Sequence, residues 1–306
     1  MVSKIFSIKR DSKHKIVTFL GIKLKFKDEI AILNNKLNYI IDITKAPKAT
    51  GQLRKIQLLE LYLMCGLKKY CNEIGVKFWL RGGSALGAFR HRGFIPWDDD
   101  VDLGMIREDF DKLTDYVNSN SKDFEITYFY HPECKVAKFV FRNEKCPIFI
   151  DIFPFDWCEW ENSDEFWAKW MKDKNELANK VKSLNHKVGY AKELAHNEIE
   201  KIEYLNNKLK NKYSQKNNGT AICYAIEQVY PKAKRVFAKN MVFPLKMVEF
   251  EGQMFYSPAK TEEYLKFYYG NYMRFPNEIN AEQHAFMFSK EEYAEIDNLF
   301  KKYIER

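Results

Sequence analysis

The N-terminal "MVSKIFSIKRDSKHKIVTFLGIKLKFKDE" has no long apolar run, because lysines break every hydrophobic stretch after a few residues. That excludes a secretory h-region and a membrane-spanning helix there, and the chain is expected to be cytoplasmic. The six cysteines (Cys65, Cys71, Cys134, Cys146, Cys158, Cys223) form no CxxC pair and no Cys/His ladder of zinc-site spacing. They are therefore expected to be reduced thiols that mostly pack, with a zinc site assembled from distant cysteines left open. No repeat of 20–50 residues is visible. No aromatic-basic signature of the RRM type is present either, so nucleic acid is not an expected partner.

What the chain does have is apolar and basic content. With 306 residues, 46% hydrophobic and 16% aromatic, it can bury a core as one large or two smaller domains. A net charge of +8, spread along the sequence, favours acidic partners such as phosphates or an anionic membrane face. Residues 1–50 read as a basic two-stranded ribbon (1–27), a short helix carrying Ile30, Leu33, Leu37 and Ile41, and a linker with Pro47 and Gly51. The basic face of the ribbon is either a peripheral contact with anionic membrane or a solvated strand pair.

Residues 51–160 alternate helical and strand patterns, which indicates an α/β (α+β) core with a mixed sheet. Leu53, Ile56, Leu59, Leu63 and Leu67 give a helix over 52–74 that stops at Gly75. "VKFWL" follows as a strand, "GGSALGAF" as a glycine turn opening a short helix, and "DDVDLGM" as a strand. A helix over 107–119 and the strands "FEITYFY", "KVAKFVF" and "CPIFIDIF" complete the core. Residues 161–306 read as a charged helical arm to about 216, a helix at 220–229, a hairpin in "MVEFEGQMFYS", and helices at 260–269 and 289–305.

The sharpest feature is "LRGGSALGAFRHRGFIPWDDDVDLGM", where four aspartates fall within five residues beside an apolar strand. On an extended strand Asp100 and Asp102 share one face, and their repulsion is relieved by a cation; hard oxygen ligands at that spacing suit Mg²⁺ or Mn²⁺. A calcium-binding EF-hand fails, because its sixth position would be Leu103 instead of glycine and its twelfth Asp109 instead of glutamate. Asp151 interrupts the apolar "CPIFIDIF" and, beside the aspartate strand, would complete a three-carboxylate site; alone it reads equally as a strand-end cap. Gly83 and Ser84 supply donors at a helix N-terminus, where phosphate is favoured, and Arg90 and Arg92 lie between that turn and the aspartates. Lys138 and Arg142 lie an even number of positions apart on one strand and could share the cleft of Asp151, or a solvated face. Trp97 is expected in the core and His284 in a structural or exposed position.

A glycine-serine turn followed by Asp-x-Asp resembles the nucleotidyltransferase fold. The longer "GGSALGAFRHRGFIPWDDDVDLGM", with "LRKIQLLELYLM", "FIDIFPFD" and "FEGQMFYSPAKTEEYLKFYYGNYMRFPNE", is similar to the LicD family of phosphorylcholine transferases and fukutin-related proteins. The resemblance spans about residues 50–280. It implies transfer of a phosphorylated alcohol from a CDP-linked donor to a sugar hydroxyl of a surface glycan, lipid-linked or soluble, with release of CMP. By the same resemblance Asp100 and Asp102 match the metal pair, Asp151 the third carboxylate, Gly83 and Ser84 the phosphate turn, and Arg90 and His91 its basic step. Asp98 is implied near the metal, and either it or Asp151 would take the hydroxyl proton. Asn271 departs from the pattern at a position where aspartate is expected. The competing readings are a nucleotidyltransferase for another small molecule and a non-catalytic basic scaffold; the scaffold would tolerate Asp100→Asn and Asp102→Asn.

Overall fold

The computed structural model describes residues 6–10, 14–19, 22–27, 29, 32–33, 42–158, 164–214, 219–224, 236–275 and 288–305. The N-terminal ribbon has three strands instead of two: β1 (Phe6–Arg10), β2 (His14–Phe19) and β3 (Ile22–Lys27), each antiparallel to the next. Ile30, Leu37 and Ile41 of the expected short helix lie outside the described residues, as does His284.

Helix α1 (Gly51–Ile74) buries Ile56, Leu59, Leu63 and Leu67 on one stripe and ends at Gly75, whose φ of 74° closes it in the left-handed conformation. The following elements are β4 (Phe78–Leu80), α2 (Gly82–His91), β5 (Asp102–Ile106), α3 (Arg107–Asn120), β6 (Phe124–Tyr130), β7 (Lys135–Phe141) and β8 (Phe149–Cys158). The chain continues through α4 (Asp164–Ser183), β9 (Gly189–Tyr190), α5 (His196–Tyr213), β10 (Ala221–Tyr224), β11 (Val236–Ala238) and α6 (Lys239–Val242). A hairpin of β12 (Lys246–Phe250) and β13 (Gln253–Ser257), then α7 (Thr261–Tyr269) and α8 (Lys290–Tyr303), complete it.

Eight strands form one mixed sheet in the order β11-β10-β8-β7-β6-β9, with β5 parallel to β8 and antiparallel to β4. Ala221–Tyr224 falls where a helix is expected but forms a strand. The ten-residue β8 outruns β7, and its free ladder positions from Phe155 to Cys158 are met by β10. The rest of the expected 220–229 helix lies outside the described residues. One apolar cluster joins α1, α2, the sheet, the β12–β13 hairpin, α7 and α8; a second gathers α4 and α5 against Tyr130, Cys158 and Cys223. No helix among the described residues is long and apolar enough to cross a membrane.

Candidate active site

Sheet register decides which side chains meet. Asp102 on β5 pairs with Asp151 on β8, Asp151 pairs with Lys138 on β7, and Lys138 pairs with Thr127 on β6. Partners directly across a sheet point to the same face, so Asp102, Asp151, Lys138 and Thr127 form a row, each about 4.8 Å from the next. Lys138, itself buried, reaches Asp151 Oδ1 at 2.6 Å while its ammonium sits 3.2 Å from the centre of the Phe149 ring. Asp102 is met by Arg81, whose Nη1 lies 3.2 Å from Asp102 Oδ2. Arg81 is 2% exposed, stacks 3.9 Å above Phe153 and donates to the Tyr268 hydroxyl on α7. The cation serving Asp102 is therefore Arg81, one residue before the glycine pair, and the one serving Asp151 is Lys138.

Asp100 departs from expectation in place but not in neighbourhood. It precedes the strand, because regular β5 begins at Asp102, and the "PWDDD" run is a loop laid over the sheet end. Gln57 of α1 holds that loop by donating to the carbonyls of Ile95 (3.3 Å) and Asp98 (2.9 Å). Burial first, then the charges of Asp100, Asp102 and Asp99, push the Asp98 carboxyl well above the usual range, and a side-chain hydrogen bond joins it to Asp100. Glu60, also on α1 and 2% exposed, is driven up by burial and by Asp100, Asp99, Asp98 and Asp151. Its Oε2 has no hydrogen-bond partner among the described residues. Nothing local in "LLELYLM" marks Glu60 as anything but a glutamate on a helix; its helical phase with the buried leucines was the one available signal.

The glycine pair is present for space. Gly82 has φ of 51°, and a Cβ there would lie 2.7 Å from Asp102 Oδ2; a Cβ on Gly83 would lie 2.7 Å from Asp98 Oδ2. Two carboxylates thus press against the first turn of α2, whose positive end stabilises them. Ser84 Oγ accepts from the Asp102 backbone N–H at 2.9 Å, which ties the turn to the aspartate strand. Tyr264 Oη accepts from the Gly82 N–H at 3.4 Å, so α7 walls the same corner.

Of two expected site cations, Arg142 is held elsewhere, whereas Arg90 stays near enough to Asp98 for that carboxylate to be the leading charge on its guanidinium. Arg90 is buried and donates from Nη1 to the Tyr272 carbonyl (2.8 Å) and from Nε to His91 Nε2 (2.9 Å), a clamp between α2 and the segment after α7. Arg142 donates to the carbonyls of Asn118 (3.0 Å), Ser121 (3.2 Å) and Phe124 (2.9 Å). It lies just past the last residue of β7, and the orphan carbonyls ending α3 capture its guanidinium. Lys138 lies on β7 and Arg142 just beyond it, and they do not share a site.

Burial, then the neighbouring Arg90, holds the His91 imidazole down to about 4, against 6.5 for the free side chain. Between those two values the unfolded chain binds a proton that the folded chain refuses, so stability falls as pH drops from 6.5 towards 4, and this group has no effect above that window. Thermal melts at pH 7, 6, 5 and 4.5 are expected to show a shallower loss for His91→Phe than for the wild type. Parallel losses would remove His91 as a source of acid sensitivity.

Carboxylate oxygens are the donor chemistry that Mg²⁺ and Mn²⁺ take, and the buried Glu60 Oε2, which feels the charges of the aspartate run, has no hydrogen-bond partner among the described residues. Among the described residues no three such side chains converge on one point. Asp102 and Asp151 turn instead to Arg81 and Lys138. The donor chemistry suits a dication, and Arg81 and Lys138 already neutralise two of the three carboxylates expected to hold it.

Residues 75–187 match the family described as LicD/FKTN/FKRP, nucleotidyltransferase domain. Those residues form a LicD-family domain. Over 257 residues, 76% of this chain and 95% of the relative, the sequence is 27% identical to the lipopolysaccharide cholinephosphotransferase LicD of Haemophilus influenzae. It is 66% identical over 35 residues to the ribitol 5-phosphate transferase FKRP of Homo sapiens, a stretch covering 11% of this chain and 7% of the relative. A match to the ribitol-5-phosphate transferase FKTN of Macaca fascicularis runs over 89 residues at 45% identity, 29% of this chain and 17% of the relative. The chain is thus similar along nearly the whole bacterial LicD relative and only locally to the animal ones. The LicD-family domain contains the whole row from Asp102 to Thr127.

Proposed function

We propose that this LicD-family protein transfers a phosphorylated alcohol, phosphocholine or a close relative, from a CDP-linked donor to a sugar hydroxyl of a surface glycan and releases CMP. The observation carrying the reading is the in-register row of Asp102 and Asp151 on adjacent parallel strands, flanked by two buried cations. Asp100, Asp102 and Asp151 would hold Mg²⁺ or Mn²⁺, which supplies charge stabilisation at phosphate oxygens.

The chain's own part follows from its geometry. Arg81, fixed by Phe153 and Tyr268, presents an immobile guanidinium at the α2 end of the row, where the leaving CMP phosphate gathers charge. Lys138 at the opposite end neutralises the transferred phosphoryl group. The acceptor oxygen forms its bond to phosphorus as the bond to the CMP oxygen breaks, and CMP leaves with the electron pair. The acceptor's proton passes to Asp151, beside Lys138. Gly82, Gly83 and Ser84 hold the aspartates in place.

The cationic sheet β1–β3 suits peripheral contact with an anionic membrane that carries a lipid-linked acceptor. The test is CMP release from CDP-choline, CDP-ethanolamine, CDP-glycerol and CDP-ribitol, with and without Mg²⁺ or Mn²⁺. Metal-dependent release from one of them names the transferred group. Folded protein that neither binds nor cleaves any of the four refutes the proposal.

A further inference from the structure

Beyond Lys138, the site face of the sheet continues into a pocket of about 560 Å³, within the range of small-ligand sites. Its floor is Glu125, Thr127 and Val140 on β6 and β7, and Tyr190, Glu193 and Glu292 stand around it. The row places Thr127 two strand spacings, about 10 Å, from Asp151, roughly the reach of one sugar ring with its substituents. Tyr190 links the two regions: it pairs with Phe129 on β6, and after burial the charge of Asp151 does most to push its hydroxyl up.

The lining has a definite chemistry. Four glutamates (Glu125, Glu144, Glu193 and Glu292) face two cations, Arg142 and Lys192. Such a pocket repels phosphates, so it does not serve the nucleotide. Each glutamate is anchored through one contact: Glu125 to Arg142 (3.2 Å), Glu144 to Lys192 (2.9 Å), Glu193 to the Tyr190 N–H (2.9 Å) and Glu292 to the Ser289 N–H (2.7 Å). Every carboxylate therefore keeps acceptor capacity, which suits a neutral molecule rich in hydroxyl donors. Tyr190 adds a ring on which a pyranose can lie and a hydroxyl that can exchange a hydrogen bond with it, the group that Tyr190→Phe removes. An aromatic cage for a quaternary ammonium needs several such rings around one point, and among the described residues only Tyr190 and Phe141 line the space.

We propose that this pocket, floored by Thr127 and Val140 and walled by Tyr190 and Glu193, is the subsite for the acceptor sugar and aims one of its hydroxyls across Lys138 at the phosphorus above Asp151. The proposal rests on the transferase reading for the reaction, but the pocket's taste for sugar is testable without it. The probes are the methyl glycosides of glucose, galactose, N-acetylglucosamine and N-acetylgalactosamine, observed by saturation-transfer NMR with the full chain. At least one is expected to receive saturation from the wild type, to lose it with Thr127→Trp, which fills the pocket, and to bind about 5-fold more weakly to Tyr190→Phe. With a cleaved CDP-alcohol and the best glycoside, both variants are expected to shift the same donor from transfer towards hydrolysis, Thr127→Trp by at least 10-fold.

No saturation of any glycoside by the wild type, or wild-type binding by a folded Thr127→Trp, would overturn the assignment. So would a Thr127→Trp defect that raises KM for the CDP-alcohol but not the Kd for CDP, since the pocket would then hold the transferred alcohol. Should Thr127→Trp not fold, Tyr190→Phe decides alone. If no CDP-alcohol is cleaved but the glycosides still bind in the pocket, the donor reading fails and the sugar site stands.

Discussion

Replacing Asp102 by asparagine is expected to lower CMP release from the cleaved CDP-alcohol by about 10³-fold while the protein stays folded. The size follows from removing one charged group that acts on the phosphoryl oxygens, roughly 4 kcal/mol of transition-state stabilisation. Folding survives because the amide is isosteric and the backbone N–H of residue 102 keeps its bond to Ser84 Oγ. Arg81 loses its ionic partner but keeps Tyr268 and the Phe153 face, so Tm should fall by only a few degrees. Asp151→Asn should behave alike, and the double variant should lose little more, because the two carboxylates serve one site. Steady-state CMP release with both divalent ions, beside thermal melts, reads these outcomes. Activity above a tenth of wild type in folded Asp102→Asn would move the chemistry away from the row.

Gly82→Ala is expected to lower turnover about 100-fold although it removes no functional group. At φ of 51° a side chain adds roughly 1–2 kcal/mol of backbone strain, and the new Cβ would stand 2.7 Å from Asp102 Oδ2. That contact is inside van der Waals distance, so the carboxylate or the turn must shift. A carboxylate displaced by about 1 Å leaves its place beside Arg81 and in line with Asp151. The expected signature is a large fall in kcat, a raised requirement for divalent ion and a modest fall in Tm. Unchanged kcat and ion requirement would show that the glycine pair is there only for the fold.

These two variants mark where local sequence is sufficient and where it is not. The Gly-Gly turn begins eighteen residues before the Asp-x-Asp run, and the two, with the arginines between them, are what raise the expectation of a phosphate-handling site. The helical phase of α1 is equally legible, because burying Ile56, Leu59, Leu63 and Leu67 demands a period near 3.6. Glu60 and Gln57 share that buried stripe, yet a one-dimensional pattern does not say which loop will cross it. Arg81 and Arg90 are both arginines close to the glycine turn. Only packing sends Arg81 between Phe153 and Tyr268 onto Asp102, and Arg90 to the carbonyl of Tyr272. The strand β10 shows the same limit, since pairing with the free edge of β8 overrides a weak local preference for helix.

The sequence by itself determined the class of site: hard carboxylate donors beside a helix-opening glycine turn, inside an α/β chain with a basic N-terminal segment. Tertiary structure decided the membership of that site. Ladder register alone brought Asp151, Lys138 and Thr127 into line with Asp102, and the ends of α3 withdrew Arg142 from it. The physical reason is that side-chain chemistry is carried residue by residue, whereas strand pairing and the capture of charged groups by orphan carbonyls depend on partners far away in the chain.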